Sequence, residues 1–264
     1  MKTTRTIITL TTDFGGSSPY VAQMKGVLLS RNTELQIVDI THDIAPHDIY
    51  QGAIILHDVC PRFPPHSIHL AVVDPGVGTR REIVYAEIGD RHFVAPNNGL
   101  LTYLAMRTPP AVIRAVTNRL YFMPEISTTF HGRDIMAPVA AHLSLGLKPA
   151  RLGPQLDSLV MLKVDEPVIE SQRIIGAVAQ IDRFGNVITN IDVRHLAATQ
   201  PGSEVRIHCR GQDIRGIVST YGDQLPGVLV ALVGSNGRLE LAVVQGNASM
   251  VLGARPGDKV VVNW

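Results

Sequence analysis

The texture of this chain changes once, near residue 166, and that change limits its fold more than any other feature. Upstream, short β-rich runs alternate with stretches of helical period. Ile7-Ile8-Thr9-Leu10 ends in Thr12-Asp13-Phe14-Gly15-Gly16, and Val21, Met24, Val27 and Leu28 then fall at helical spacing. Residues 35–40 read as a second strand, 50–60 as a helix that stops before Pro61, and 67–73 as a third strand ending at Asp74. A hairpin of 82–88 and 91–95 around Gly89-Asp90 follows, then helices over 99–106 and 135–145. Downstream, 174–181, 187–191, 204–210, 214–220, 229–234, 239–244 and 259–263 all read as strands. Turn residues such as Arg183-Phe184-Gly185, Gly211-Gln212 and Ser235-Asn236-Gly237 separate them. The first pattern predicts an α/β N-terminal domain with a largely parallel sheet over residues 1–166. The second predicts a smaller all-β domain, a barrel or sandwich, over residues 167–264, with the boundary at Pro167.

Composition narrows the classes of function. A net charge of +1 on 264 residues argues against a nucleic-acid surface held by general electrostatics. No apolar run approaches the roughly 20 residues a membrane helix needs, and no secretory signal stands at the amino terminus, so a cytoplasmic protein off the membrane is expected. Cys60 and Cys209 lie far apart in apolar contexts and read as buried reduced thiols. No HExxH or CxxC pair occurs, and no metal site is expected.

The residues able to carry chemistry gather at strand ends, where open α/β sheets bind ligands. Asp13 follows a strand and precedes Gly15 and Gly16. It reads either as a turn or N-cap aspartate or as a carboxylate holding a ribose diol. The spacing is not GxGxxG, so no dinucleotide fingerprint is present. Asp74-Pro75-Gly76-Val77-Gly78-Thr79-Arg80-Arg81 is either a tight connection with surface arginines or a loop that builds a site. His131, in Phe130-His131-Gly132-Arg133-Asp134, precedes an apolar helix whose amino terminus would favour the neutral imidazole. A carboxylate, a guanidinium and an imidazole with no nucleophilic Ser or Cys beside them can hold and polarise a water. Asp182-Arg183-Phe184-Gly185-Asn186 and Gly234-Ser235-Asn236-Gly237-Arg238 need be no more than hairpin turns. Yet Asp182 and Ser235 would suit the amine and carboxylate of an amino acid, and Tyr221 and Phe184 an aromatic face for a purine.

In chain order, Thr11-Thr12-Asp13-Phe14-Gly15, Ala22-Gln23-Met24-Lys25-Gly26, Val73-Asp74-Pro75-Gly76-Val77-Gly78-Thr79, Ala95-Pro96-Asn97-Asn98-Gly99-Leu100, Phe130-His131-Gly132-Arg133-Asp134, Asp182-Arg183-Phe184-Gly185-Asn186 and Gln245-Gly246-Asn247-Ala248 resemble the S-adenosyl-L-methionine (SAM) hydroxide adenosyltransferases, water-using relatives of the SAM-dependent fluorinase and chlorinase. The resemblance implies an N-terminal α/β domain, a C-terminal β-barrel, and a homotrimer with SAM bound between the N-terminal domain of one subunit and the C-terminal domain of the next. It implies hydrolysis of SAM to adenosine and L-methionine, with SAM as the substrate and no cofactor. The family's water-holding triad falls on Asp74, Arg81 and His131, family spacing favouring Arg81 over Arg80. By the same matching, Asp13 would hold the ribose hydroxyls, Asp182 the methionine ammonium and Ser235 its carboxylate. Asn186 would meet the adenine edge, with backbone help from around Val244 to Asn247, and Tyr221 would cover the ring. The family usually carries Asn where this chain has Val244. The halogenating relatives have Tyr in place of Asp74 and, in the fluorinase, Ser in place of Gly132. The competing expectations are a SAM-dependent halogenase and a SAM- or adenosine-binding module without turnover.

Overall fold

A computed structural model describes residues 5–199 and 204–264. They divide into two compact units, Met1–Lys163 and Val164–Trp264, so the division falls slightly before Pro167. Among the described residues no helix is long and apolar enough to cross a membrane.

In the first unit β1 (Ile7–Thr12), α1 (Pro19–Arg31), β2 (Gln36–Thr41), α2 (Ile49–Val59), β3 (Ile68–Val72), β4 (Ile83–Ile88), β5 (Arg91–Pro96), α3 (Thr102–Arg107), β6 (Pro110–Ala115) and α4 (Ala137–Ser144) follow in order. One sheet runs β2-β1-β3-β5-β4-β6. The β1–β2, β1–β3 and β3–β5 pairs are parallel, whereas β4 is antiparallel to both its neighbours. Helices cover both faces, so the central strands β1 and β3 are buried almost throughout, Thr9, Thr11, Thr12 and His69 included. Leu70 and Val72 enter a core with Met24, Leu28 and Val139, while Ala71 and Val73 enter another with Leu56, Leu100 and Leu104. Both α1 and α2 start on capping residues. Ser18 accepts from the Tyr20 amide ahead of Pro19, and Asp48 accepts from the Gln51 amide. Strand β6 is absent from the sequence expectation because it opens on Pro110, a residue that strands admit chiefly at edges and starts. The helix expected from Gly99 begins only at Thr102, since Gly99 is left-handed with φ of 106°.

The second unit holds β7 (Val168–Glu170), β8 (Arg173–Ile181), β9 (Val187–Asp192), α5 (Val193–Leu196), β10 (Arg206–Cys209), β11 (Gln212–Arg215), β12 (Leu229–Val233), β13 (Arg238–Val243), α6 (Ala248–Leu252) and β14 (Lys259–Asn263). The strands pair antiparallel in the order β11-β10-β14-β8-β9-β13-β12, with β7 on β8. A bridge between Val218 and Leu232 draws the chain beyond β11 onto β12, which nearly closes a barrel. The turn expected at Gly211-Gln212 is Arg210-Gly211. Both residues have positive φ, and Cys209 pairs with Gln212 across them, as a two-residue hairpin requires. Strand β11 therefore starts and ends early, and left-handed Gly216 stops it short of the expected Thr220.

Candidate functional site

Asp13 and Asp74 leave the same edge of the first unit's sheet. Strands β1 and β3 are parallel neighbours with Thr12 opposite Val72, and each aspartate follows within two residues. The Asp74 loop folds on itself. The Val77 amide donates to the Asp74 carbonyl, the Thr79 hydroxyl donates to the Gly76 carbonyl at 2.7 Å, and the Arg81 amide donates to the Thr79 hydroxyl. Gly78 is left-handed and lies so close to Thr128 that a Cβ would overlap the Thr128 carbonyl oxygen. That close approach sets the Asp74 loop against the segment that carries His131.

The two segments meet in one polar cluster. Nε of Arg81 donates to both carboxylate oxygens of Asp74, at 2.8 and 2.9 Å, and Nη2 donates to Oδ2. Nη2 also donates to Nδ1 of His131 at 2.9 Å. A guanidinium can only donate, so Nδ1 of His131 is the acceptor and the ring proton sits on Nε2. Burial, and then the Arg81 charge, push the His131 pKa below 6.5, against the opposing pull of Asp74 and Asp134. Burial and the Arg81 charge therefore favour the neutral imidazole, two causes that the sequence expectation did not include, and His131 also stands at the N-cap of the turn that leads into α4. Residues 132–136 form a π-helical turn, a widened geometry often met at functional sites. Arg80 is exposed and Arg81 is the arginine inside the cluster.

Asp13 is half-buried, and its Oδ2 accepts from the amide of His47, itself held at φ of 68°. Beside it Phe14, Tyr20 and Phe130 meet edge to face, with centroids 5.1 to 5.7 Å apart. This trio joins the glycine loop to the residue before His131. Sequence reading missed it, although all three aromatics flank motifs it singled out. Gly132 packs against Val72 and Met24, where a Cβ would sit 3.3 to 3.4 Å from their side chains.

Within the second unit, a cavity of about 1060 Å³ is lined by Asp182, Phe184, Asn186, Tyr221, Ser235 and Asn247, all expected from the sequence. Several of these also make the structure that presents them. Oδ1 of Asp182 accepts from the amides of Phe184 and Asn186, at 2.8 and 2.9 Å, and Oδ2 accepts from the Asn186 side chain at 2.9 Å. Asn247 is the N-cap of α6: its Oδ1 accepts from the Met250 amide and the Ser249 hydroxyl. Its side chain fills the place a Cβ on Gly185 would need, which explains that glycine. Phe184 is 77% exposed at the rim. Glu240 also lines the cavity and was not expected, because one acid in Arg238-Leu239-Glu240-Leu241 reads as the solvent face of an alternating strand. It is instead buried, and burial raises its pKa, with help from the Asp182 charge and against the Tyr221 hydrogen bond. Val244, the departure from the family pattern, is buried, and its amide and carbonyl bond the backbone of Val228 and Gly227.

Comparison with known proteins follows the same division. Residues 8–153 match the family model for the SAM hydroxide adenosyltransferase N-terminal domain, and residues 176–261 match that for the C-terminal domain. The chain is 38% identical to an (R)-S-adenosyl-L-methionine hydrolase of Salinispora tropica, covering 97% of each, and 37% identical to one of Thermus thermophilus, covering 94% of this chain and 96% of the relative. A fluorinase of Nocardia brasiliensis is more distant, at 29% identity over 90% of each chain. An uncharacterized conserved protein from Thermotoga maritima, solved by crystallography, superposes with a TM-score of 0.92 at 40% identity, over 98% of this chain and all of that one.

Proposed function

Since the chain belongs to the SAM hydroxide adenosyltransferase family, we propose that it hydrolyses SAM to adenosine and L-methionine. The observation that carries this reading is the mutual contact of Asp74, Arg81 and His131 at the sheet edge from which Asp13 also emerges. Water attacks C5′ of the ribose, the C5′–S bond breaks with its electron pair going to sulfur, and one proton is released. The sulfonium makes methionine a neutral leaving group, so the reaction calls for no general acid, metal or cofactor. The difficulty is a weak nucleophile, and holding water in line with the C–S bond addresses it. Well-oriented reactants gain on the order of 7 kcal/mol or more over free ones.

The geometry divides the work. Nδ1 of His131 already accepts from Arg81, so His131 acts as a donor from Nε2 and orients the water's oxygen. Oδ1 of Asp74 accepts one bond from Arg81 and keeps a second lone pair for the water's proton. Arg81 fixes both partners. Asp13 holds the ribose diol, and the second unit's cavity takes adenine and methionine, with Phe184 and Tyr221 as aromatic faces, Asn186 and the backbone near Asn247 at the adenine edge, and Asp182 and Ser235 at the amino-acid end.

The family resemblance also supports a homotrimer whose sites are each completed by two copies, which sedimentation would test. The two free, buried cysteines suit a reducing, cytoplasmic setting. Incubating the protein with SAM in ¹⁸O-water and weighing the adenosine tests the reaction itself. Label in the 5′ hydroxyl is expected; unlabelled adenosine, or none, would sink the reading.

A further inference from the structure

We propose that Glu240 is a positioning residue of the second unit's cavity: it holds the Tyr221 ring in place and sets the Gly234–Ser235 turn beside it. The proposal rests on the reading that this cavity receives SAM. Glu240 lies in the middle of β13, between Leu239 and Leu241, whose side chains enter the barrel core. Strand alternation sends Glu240 to the opposite face, shared with Ala242 and Val244. There it is 7% exposed yet lines the cavity. Each carboxyl oxygen meets a different part of the wall. Oε1 accepts from the Tyr221 hydroxyl at 2.5 Å. Oε2 lies against Gly234, where a Cβ would come within 2.7 Å of it, so any larger residue at 234 would displace the carboxyl from this position.

The Tyr221 turn is organised internally. Oδ2 of Asp223 accepts from the amides of Ser219 and Thr220, at 2.9 and 3.0 Å, which fixes the turn's shape without fixing where the ring points. The bond to Glu240 supplies that direction. An apolar residue at 240 would satisfy packing against Ala242 and Val244 and avoid burying a carboxyl, which is costly unless bonded. The carboxyl is explained by what it holds: an aromatic ring and the turn bearing Ser235, both shaped before a substrate enters. Preorganisation of this kind lowers the cost of binding rather than the barrier to reaction.

The test is a set of variants read as kcat and KM for SAM hydrolysis. Tyr221→Phe and Glu240→Ala are each expected to raise KM about tenfold with kcat within about twofold of wild type. Glu240→Gln, which keeps an acceptor for the hydroxyl, should stay within about threefold. The double variant Tyr221→Phe/Glu240→Ala should match Glu240→Ala alone, because Tyr221→Phe removes only a bond that Glu240→Ala has already removed. An unchanged KM in Tyr221→Phe, or a double variant near a hundredfold, would overturn the proposal. Should Glu240→Ala fail to fold, Tyr221→Phe against Glu240→Gln still decides it: equal KM values in the two overturn it. A wild-type protein that releases no adenosine would instead count against the hydrolase reading. In that case calorimetry decides the proposal: a dissociation constant for SAM about tenfold weaker in Tyr221→Phe than in wild type supports it, and an unchanged one overturns it.

Discussion

The Asp74 cluster and the second unit's cavity use polar side chains in opposite ways. In the cluster, side chains bond one another across long stretches of sequence: Arg81 reaches Asp74 and also His131, 50 residues away. In the cavity Asp182 and Asn247 bond the backbone of their own turns, at 184 and 186 and at 250, while the Tyr221–Glu240 pair alone of those described above reaches from one element to another. The first arrangement adds little to local structure and fixes the geometry of three reactive groups. The second makes the shape of the site and the stability of its turns the same property. Substitutions should therefore separate chemistry from folding in the first region and mix binding with folding in the second.

Asp74→Ala is the largest test of that difference. It removes the proposed proton acceptor and leaves the loop's own backbone bonds intact. Adenosine release is expected to fall on the order of a thousandfold, while SAM binding by calorimetry changes little. Full activity in this variant would remove Asp74 from the mechanism. Arg81→Lys comes next. A lysine keeps the charge but cannot fork onto Asp74 and reach His131 at once. A loss of about tenfold to a hundredfold in kcat is expected, with the melting temperature nearly unchanged. A lysine variant as active as wild type would show that charge alone suffices.

The pH profile sharpens the cluster further. Its histidine pKa is depressed, so the unfolded chain takes up a proton at that ring before the folded chain does. Stability from the neutral ring is full above 6.5 and is lost as pH falls toward the depressed folded value. Activity should hold through pH 6.5 and decline only below it, and NMR titration of the ring in wild type against His131→Gln would locate the step. A ring that titrates above 6.5 would contradict the assignment of Nδ1 as acceptor.

Asn247→Ala carries the comparison into the second unit. It removes the cap of α6, which typically costs about 1 kcal/mol, and empties the space against Gly185. The denaturation midpoint and KM for SAM should worsen together, measured on the same preparation. A KM change without loss of stability would assign Asn247 to direct contact and separate shape from folding after all.

The contrast also explains what the sequence made legible. Elements with a strong local signal are readable: the spacing of Val21, Met24, Val27 and Leu28 announces α1, and Gly89-Asp90 announces the β4–β5 hairpin. Strand β6 and the register of β11 were not, because Pro110 and the left-handed Arg210-Gly211 pair obscure where a strand starts. Candidate residues were reachable through ordered motifs, which name positions but not what each side chain touches. Asn247 as a cap, Asn186 as a partner of Asp182, and the cause of the neutral His131 depend on contacts made only after folding. Glu240 stood outside every motif, and a lone acid on an apolar strand gives no sign of facing inward.

The smallest expected effect settles which of two adjacent arginines matters. Arg80 and Arg81 carry the same charge one residue apart, so long-range attraction of a substrate carboxylate would be shared by both. Their surroundings differ: Arg81 has a side chain only 11% exposed and bonded within the cluster, whereas Arg80 is exposed. Exposed charges are strongly screened, and substitutions away from buried features usually change stability by less than about 0.5 kcal/mol. Arg80→Ala should therefore keep kcat and KM within about twofold of wild type at 0.15 M salt. A fall in kcat comparable to that of Arg81→Lys would mean that the reacting geometry draws in Arg80 when substrate binds, and the cluster's division of roles would have to be redrawn around it.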